Sequence, residues 1–261
     1  MLQPHASDPP LPVPRRLRAA LLGTALALSV QFGLAATEPE MPAVLPANVE
    51  PFLQGAVRGI LVFPLAPPAG AVLILPDATG PDGRTASYVN QLLGAGLAAL
   101  DIFEHDDDAP AVEAAAMSLA QRFAPARIGV LSFGAGAAIA ASLRPIAARA
   151  LLYPGCTERL SHSLAAAAGS LLLAHGGRDA ANPTHDCAAA AASLGATGRP
   201  VRHLVYERAS YAWDHPALGM EGRFLLPRPD GEGHVEVLPW PALGVMSASE
   251  VASFFATSLA P

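Results

Sequence analysis

The chain contains no lysine, because all 16 of its basic residues are arginine. This absence excludes Schiff-base catalysis and lysine general bases. Charged residues make up only 15% of the chain and aromatic residues only 6%, whereas 52% of the residues are hydrophobic. Such a composition supports a large core and differs from that of a disordered chain. The 261 residues show no internal repeat, so we expect one large domain.

Basic surface is also scarce, since the formal net charge is −6. The segment 1–36 holds three arginines but a single acidic residue, Asp8, so the chain without it is more acidic still. An acidic protein is a poor partner for nucleic acid or for an anionic membrane surface. We therefore expect no nucleic-acid partner, and no membrane association once this segment is removed.

The N-terminal segment has the three parts of a secretory signal. Arg15, Arg16 and Arg18 precede an uncharged stretch over 19–36, which ends in small residues before the polar Thr37. This arrangement is typical of a signal peptide. The stretch is also close to the length of about 18–20 residues that spans a membrane, so a retained anchor is the alternative. We expect 1–36 to be a cleaved signal peptide and the mature protein to be periplasmic or secreted.

The only two cysteines, Cys156 and Cys187, both follow this segment. In an exported chain, an even number of cysteines favours a disulfide. The alternative is a cysteine nucleophile, but neither residue lies at the centre of a small-x-Cys-x-small turn. We predict a disulfide between them.

Short apolar runs alternate with helical spacings along the chain. The predicted strands are 60–63, 71–75, 97–103, 128–131, 150–153, 170–174 and 201–206, and the predicted helices are 82–94, 112–123, 137–141, 182–194 and 249–259. This order predicts an α/β fold whose mostly parallel sheet carries helices on both faces. We expect an extended N-terminal segment over 37–54 and the domain over 55–261, with a hairpin-like excursion over 216–246.

An acidic run over 104–108 follows one of the predicted strands. A metal site is one interpretation of such a run, but a solvated loop at a strand end is far more common. We expect no metal and no cofactor.

The segment 128–136 has the pattern of a strand, a tight turn and a helix start. Ser132 and Gly136 are small residues that flank Gly134 at the spacing of a nucleophile elbow. In a hydrolase, the residue at the tip of this turn is Ser or Cys. Gly134 tolerates the backbone conformation but offers no nucleophile.

Three segments at the ends of successive predicted strands resemble the dienelactone hydrolase family of α/β-hydrolases, particularly its exported members. The first is the elbow strand. The second, 151–156, ends in Tyr-Pro-Gly-Cys, and the third, 172–179, ends in a Gly-x-x-Asp loop that is followed by a proline and Cys187. The resemblance covers residues 55–260 and implies the α/β-hydrolase fold.

The resemblance also implies a triad in the chain order nucleophile, Asp, His. Asp179 stands at the acid position, although a loop carboxylate capping the next helix is the alternative. The nucleophile position is Gly134. The family pattern Tyr-Pro-Gly-Ala-x-His-x-Phe-Asp aligns with 206–214 and places Tyr211 at the histidine position. A phenol with a pKa of about 10 is protonated at pH 7 and does not act as a general base. Without a nucleophile, a base has no proton to take, so the two losses are consistent.

Other residues near these motifs offer weak substitutes. Ser132 lies two residues before the turn and is the alternative nucleophile, although a small residue that permits the turn explains it better. His175 and His215 lie near the acid and histidine positions, but an isolated histidine is more often structural. An exposed carboxylate at Asp179 is a weak base for activating water.

The backbone groups that would bind a substrate carbonyl are still expected in this sequence. Ala135 follows the tip of the elbow, and its N–H is the first expected oxyanion donor. The family's second donor comes from the loop after the early strand, which places it at Ala78. Asp77 matches a family position that carries Glu near the nucleophile, and a turn residue is its alternative interpretation. We expect a hydrolase-fold protein without normal hydrolase activity that keeps a pocket for a small carbonyl or carboxylate ligand. The alternative is an active carboxylic ester hydrolase that uses Ser132.

Overall fold

The central feature of the protein is an eight-stranded sheet. The computed structural model describes residues 46–106, 108–216 and 222–260. The expected signal peptide over 1–36 lies outside these residues, as do 37–45, one residue of the acidic run and 217–221 of the expected excursion. The sheet strands in chain order are β1 Ala47–Gln54, β2 Val57–Pro64, β3 Gly70–Leu75, β4 Ala98–Glu104, β5 Arg127–Phe133, β6 Ala148–Leu152, β7 Ser170–Gly176 and β8 Val201–Tyr206.

The spatial order of the strands is β1-β2-β4-β3-β5-β6-β7-β8. Strands β3 to β8 run parallel, whereas β1 pairs antiparallel with β2 and β2 pairs antiparallel with β4. Because the carboxyl ends of the parallel strands all lie on the same side of the sheet, the loops that follow β3, β5, β7 and β8 meet there. This edge is where ligands bind in open parallel sheets.

Helices cover both faces of the sheet. They are α1 Thr85–Gly94, α2 Ala109–Arg122, α3 Ala137–Ser142, α4 Glu158–Ala165, α5 Thr184–Gly195 and α6 Pro241–Ser258. One core layer buries side chains of α1 and α6 against the sheet, and the other buries side chains of α2 to α5. Strand β3 is buried along its whole length, as expected for a strand covered on both faces. The predicted α/β class and mostly parallel sheet are therefore confirmed. Within the described ranges, no helix is both long enough and apolar enough to cross a membrane.

Several element boundaries differ from those predicted. Residues 47–54, expected in an extended segment outside the domain, form β1 at the sheet edge. Helix α4 was not predicted, although Thr157 caps it by accepting a hydrogen bond from Leu160 N–H at 3.2 Å. Helix α6 begins at Pro241 rather than at 249, because proline is well tolerated in the first turn of a helix.

The expected excursion contains a two-stranded antiparallel hairpin. Its strands are β9 Phe224–Pro227 and β10 His234–Val237. A bridge between Tyr211 and Val237 joins β10 to the segment that follows β8. The hairpin therefore packs beside the carboxyl ends of the parallel strands, where the candidate site lies.

Candidate functional site

Gly134 lies at the tip of a tight turn between β5 and α3. Its φ is +44°, a left-handed conformation that glycine adopts without the cost borne by other residues. The turn 134–136 is a single turn of 3₁₀ helix. A Cβ at Gly136 would approach the Pro76 carbonyl oxygen to 2.6 Å, so the end of β3 requires glycine there. These observations explain the small residues of the elbow pattern.

The Asp77 carboxylate occupies the expected oxyanion hole. Its Oδ1 accepts the Ala78 N–H at 2.7 Å and the Ala135 N–H at 3.1 Å. These are the two backbone donors expected from the resemblance. Asp77 is almost fully buried, so its negative charge depends on these donors and on nearby groups for stabilisation. In hydrolases, backbone donors of this kind stabilise the developing oxyanion of a substrate.

No room exists for a side chain at the tip of the elbow. A Cβ built on Gly134 would lie 2.1 Å from Oδ1 of Asp77 and 2.1 Å from the hydroxyl oxygen of Tyr211. Gly134 and Tyr211, which stand at the expected nucleophile and histidine positions, therefore lie next to each other. Asp77 contacts both and links them to the expected oxyanion donors.

Tyr211 is a buried hydrogen-bond donor. Its hydroxyl donates to Oδ2 of Asp77 at 2.8 Å, and its ring packs edge-on against Tyr153 with centroids 4.9 Å apart. Burial and the negative charge of Asp77 raise the pKa of Tyr211. The phenol is therefore protonated at neutral pH and cannot accept a proton as histidine does.

Asp179 lies in the loop after β7, and its described hydrogen bonds remain within that loop. Oδ1 accepts the Ala181 N–H at 2.8 Å, and Oδ2 accepts the side-chain amide of Asn182 at 2.9 Å. Burial raises the pKa of Asp179 to about 7, although these hydrogen bonds oppose the shift. The charge of Asp179 contributes to the raised pKa of Tyr211, but the described residues include no hydrogen bond between the two. Asp179 thus stabilises its own turn, which ends just before α5.

A buried arginine beside the elbow was missed by the sequence analysis. Arg84 immediately precedes α1, and its Nε donates to both carboxylate oxygens of Asp82 at 2.9 and 2.8 Å. Its Nη1 donates to the Tyr153 hydroxyl at 2.7 Å and lies 3.6 Å from Oδ2 of Asp77. Arg84 therefore supplies positive charge behind the Asp77 carboxylate. The adjacent Asp-Gly-Arg sequence at the start of a predicted helix was the available signal, but it is compatible with an ordinary exposed turn.

Asp214 joins this arginine to two tyrosines. Its Oδ1 accepts from the Tyr153 hydroxyl at 2.7 Å and lies 3.9 Å from Arg84, and its Oδ2 accepts from the Tyr88 hydroxyl at 2.5 Å. Burial raises the pKa of Asp214, while Arg84 and the two phenols oppose the shift. The family motif includes this aspartate, but sequence alone did not show that it lies on the same network as Asp77.

The residues considered as replacements for the missing nucleophile and base do not form a catalytic pair. Ser132 is fully buried in β5, and its Oγ has no hydrogen-bond partner among the described residues. His175 shares hydrogen bonds of 3.0 Å with the Gly176 carbonyl and with Nε2 of His203. The Nε2 of His215 lies 3.5 Å from Asp82. A base paired with the Ser132 hydroxyl is therefore absent from the described part of the chain.

A small cleft opens beside this network, between the start of α1 and the start of α6. Its volume is 180 Å³, and its lining includes Arg84, Ser87, Tyr88, Asp214, His215 and Val245. Ser87 and Val245 are exposed, whereas Arg84 and Tyr88 form the buried floor. The cleft therefore has a polar floor and a partly apolar rim.

The predicted disulfide is confirmed. Cys156 and Cys187 are bonded, and their Cα atoms lie 5.0 Å apart. The bond ties the loop after β6 to α5. In the same place, the side chain of Asn182 accepts the Gly155 N–H at 2.7 Å, so the acid loop and the loop after β6 are held together.

Several solved structures are similar to this chain. A dienelactone hydrolase-like promiscuous phosphotriesterase from metagenomic libraries is 15% identical with a TM-score of 0.59, over 83% of this chain and 99% of the other. A dienelactone hydrolase from Anabaena variabilis is 14% identical with a TM-score of 0.55, over 83% and 99% of the two chains. An esterase/lipase from an uncultured bacterium is 16% identical with a TM-score of 0.58, over 82% and 86%.

No known family profile matches the chain, and no curated protein matches it. At these low identities, the structural similarity establishes the fold and leaves the activity open. The protein has the α/β-hydrolase fold, and its structural neighbours are dienelactone hydrolase-like and esterase/lipase proteins.

Proposed function

We propose that this chain is an exported dienelactone hydrolase-like protein that binds a small molecule and does not cleave esters. The observation that carries the proposal is the Asp77 carboxylate, which accepts both oxyanion donors while Gly134 offers no nucleophile. Export is supported by the N-terminal signal pattern and by the disulfide.

The electrostatics of the elbow oppose ester hydrolysis. A substrate carbonyl oxygen would have to displace Oδ1 of Asp77 from two backbone N–H groups, and Oδ2 is held in turn by the Tyr211 hydroxyl. The carbonyl would also acquire negative charge beside a carboxylate, which reverses the stabilisation that an oxyanion hole supplies. The site therefore disfavours the hydrolytic transition state even if another nucleophile were present.

The cleft beside Arg84 is the place where we propose that the ligand binds. The Ser87 hydroxyl and the His215 ring lie on its wall, and Val245 and two prolines contribute an apolar rim. These groups fit a small carbonyl or carboxylate compound whose polar end points toward Arg84. A neutral carbonyl is the better fit of the two, because the Asp214 carboxylate lines the same cleft and Arg84 already pairs with Asp82. The polar floor would fix the orientation of the ligand, and the rim would bury its apolar part.

Hydrolysis of short-chain aryl esters by the purified mature protein tests the first half of the proposal. We expect no turnover above that of buffer. Turnover that is lost in Ser132→Ala would overturn the proposal and support the alternative ester hydrolase. The triple variant Asp77→Ala/Gly134→Ser/Tyr211→His is expected to gain measurable turnover, because it frees the oxyanion donors and supplies a nucleophile and a base. Its matched control is Asp77→Ala/Tyr211→His, which lacks the nucleophile and is expected to stay inactive.

Ligand binding at the cleft has its own test. A panel of small lactones, ketones and carboxylates is screened by thermal shift, and any hit is measured by calorimetry. Val245→Trp, which fills the rim, is expected to abolish binding of a hit, whereas Met246→Trp at the neighbouring exposed position is expected to leave it unchanged. Equal affinities in both variants would exclude this cleft as the binding site.

A further inference from the structure

Four arginines lie at the amino ends of the parallel strands, which form the edge of the sheet opposite to the elbow. Arg127 begins β5, Arg144 and Arg149 lie just before and within β6, and Arg199 lies just before β8. In the described part of the chain, no carboxylate lies within 4.0 Å of these four guanidinium groups. Of the other nine described arginines, six have such partners, namely Arg58, Arg84, Arg122, Arg202, Arg223 and Arg228. The remaining three, Arg159, Arg178 and Arg208, have none among the described residues. These strand ends therefore hold four of the seven described arginines without a carboxylate partner, in a protein whose net charge is −6. The nearby Glu113 carboxylate accepts the backbone N–H of Arg144 at 3.1 Å and does not pair with its guanidinium.

One of the four has a structural role. Arg149 is buried and donates to the carbonyls of Ala140, Leu143 and Ala168 at 2.9, 2.6 and 2.7 Å. It thus satisfies carbonyl groups at the end of α3, where the helix dipole favours a cation. Burial, together with the positive charges of Arg199 and Arg144, lowers the pKa of Arg149 to about 10. Burial is the largest cause of this shift, and the two neighbouring arginines add to it.

The other three leave donors unused. Arg199 donates from Nε to the Gly169 carbonyl at 2.6 Å and from Nη1 to the Leu164 carbonyl at 2.9 Å, but its buried Nη2 has no partner among the described residues. Only one side-chain hydrogen bond is described for each of the other two, Arg144 to the Ala166 carbonyl at 2.8 Å and Arg127 to the Ala260 carbonyl at 3.3 Å. A guanidinium has five N–H donors, so Arg127 and Arg144 keep donors for another acceptor. Nη2 of Arg199 is buried, and it reaches a ligand in the larger depression only when the side chain turns toward that depression.

These side chains line two adjoining depressions with volumes of 580 and 460 Å³. Both depressions share Arg127, Ala147 and Ala168 in their walls, and neither is lined by an acidic residue. The larger one adds Arg199 together with the hydroxyl-bearing residues Ser170, Thr197 and Ser258. The concave shape lets the arginines approach one ligand from different sides.

We propose that this edge of the sheet binds a phosphate-bearing small molecule, with Arg127 and Arg199 as the principal donors and Arg144 as a further contact. Arginine pairs with phosphate oxygens through parallel N–H···O hydrogen bonds. Several separate guanidinium groups fit the three terminal oxygens of a phosphate better than the two of a single carboxylate. The helix carbonyl groups account for the position of Arg149, but they leave the charge and the free donors of the other three arginines unmatched. The site is independent of the elbow, since it lies at the opposite ends of the same strands.

Calorimetric titration of the mature protein with inorganic pyrophosphate tests the proposal. Acetate and chloride at matched ionic strength are the controls, because a general salt effect would appear with all three anions. We expect saturable pyrophosphate binding that weakens at least tenfold in Arg127→Gln and in Arg199→Gln. Arg127 is exposed, so its substitution tests binding without disturbing the core, and thermal unfolding checks the fold of both variants.

The matched control is Arg159→Gln, which removes an exposed arginine that has no described carboxylate partner and lies outside both depressions. It is expected to bind pyrophosphate like the wild type. Equal weakening in this variant, or no saturable binding in the wild type, would overturn the proposal.

Vesicles containing anionic phospholipid distinguish the source of the phosphate. Sedimentation with vesicles in the absence of pyrophosphate binding would replace the small molecule with a lipid surface and so contradict the proposal as stated.

Discussion

The Tyr211 hydroxyl donates a hydrogen bond of 2.8 Å to Oδ2 of Asp77, while Oδ1 of the same carboxylate accepts the two backbone donors of the elbow. The side chain at the position that the resemblance assigns to histidine thus holds a carboxylate against the two backbone N–H groups that the resemblance assigns to an oxyanion hole. Gly134 completes the arrangement, because only a residue without Cβ leaves space for both groups. The three positions form one packed unit, and each requires the other two.

This interdependence predicts strong coupling between Asp77 and Tyr211. Tyr211→Phe removes one donor from a buried carboxylate, and Asp77→Ala leaves a buried phenol and two backbone N–H groups without their acceptor. Each single substitution is expected to lower the free energy of unfolding by about 1–3 kcal/mol. The double variant is expected to lose less than the sum by at least about 0.5 kcal/mol. Urea unfolding of the four proteins measures this coupling, and strict additivity would contradict it.

Removal of the Asp77 side chain should create a site for an added carboxylate. In Asp77→Ala, the Ala78 N–H, the Ala135 N–H and the Tyr211 hydroxyl all point into the vacated space, and Arg84 lies behind it. Formate or acetate is expected to raise the melting temperature of this variant more than chloride does, because a ligand that binds only the folded state stabilises it. The wild type is the control and should show no difference between the anions. An equal response in both proteins would argue against an occupied oxyanion hole.

Gly134→Ala is expected to destabilise the protein strongly. The added Cβ would lie 2.1 Å from both Asp77 Oδ1 and the Tyr211 hydroxyl, at a φ of +44°. We expect a loss of about 3 kcal/mol or more. Gly96→Ala is the matched control, since Gly96 has a φ of +73° and an added Cβ there would meet no atom within 4 Å. This control substitution should cost about 1 kcal/mol.

The same substitution in the Asp77→Ala/Tyr211→Phe background separates contact from backbone strain. Both contacting atoms are absent there, so the cost of Gly134→Ala should fall toward that of Gly96→Ala. An unchanged cost in this background would show that backbone conformation, and not contact with Asp77 and Tyr211, excludes a side chain at the elbow.

Asp179 should make stability depend on pH. Its pKa is raised to about 7 by burial, against about 3.9 in an unfolded chain. The folded state therefore retains the proton more tightly than the unfolded state does. Its contribution is fully present below about pH 4, decreases as the pH rises toward 7, and stays constant above that. Asp179→Asn should remove this decrease, so the difference in unfolding free energy between variant and wild type should grow from pH 4 to pH 7. A difference that does not vary with pH would show that Asp179 is ionised throughout.

Reduction of the disulfide should destabilise the protein without altering the elbow directly. Cys156 and Cys187 are 31 residues apart, and a loop of that length corresponds to about 3–4 kcal/mol in the chain-entropy description. The Cys156→Ala/Cys187→Ala variant is expected to show a lower urea midpoint than the wild type. Dithiothreitol should lower the urea midpoint of the wild type and leave that of the variant unchanged. The variant thus controls for effects of the reductant on the rest of the chain.

The sequence predicted the fold because the relevant signals are local. Apolar runs such as 128–131 and 170–174 gave the buried strands, and their alternation with helical spacings gave the parallel sheet. The spacing of Ser132, Gly134 and Gly136 marked the elbow, because a tight turn constrains residue size at fixed offsets. Strand β1 and helix α4 were missed, because β1 is a half-buried edge strand that contains Pro51 and α4 is short.

The sequence by itself therefore determined which chemical groups the elbow lacks, since a glycine and a tyrosine carry neither a nucleophile nor a histidine base wherever they lie. Only the tertiary structure decided what replaces them. Asp77 and Tyr211 are separated by 134 residues in the chain, and Arg84 approaches Asp77 from the other end of the loop between β3 and α1. Hydrogen bonds between such distant groups depend on how the carboxyl ends of β3 and β5 pack against the loop after β8. No local pattern records that packing, which is why the hydrogen bonds of Asp77 to the Ala78 N–H, the Ala135 N–H and the Tyr211 hydroxyl could not be predicted from the sequence.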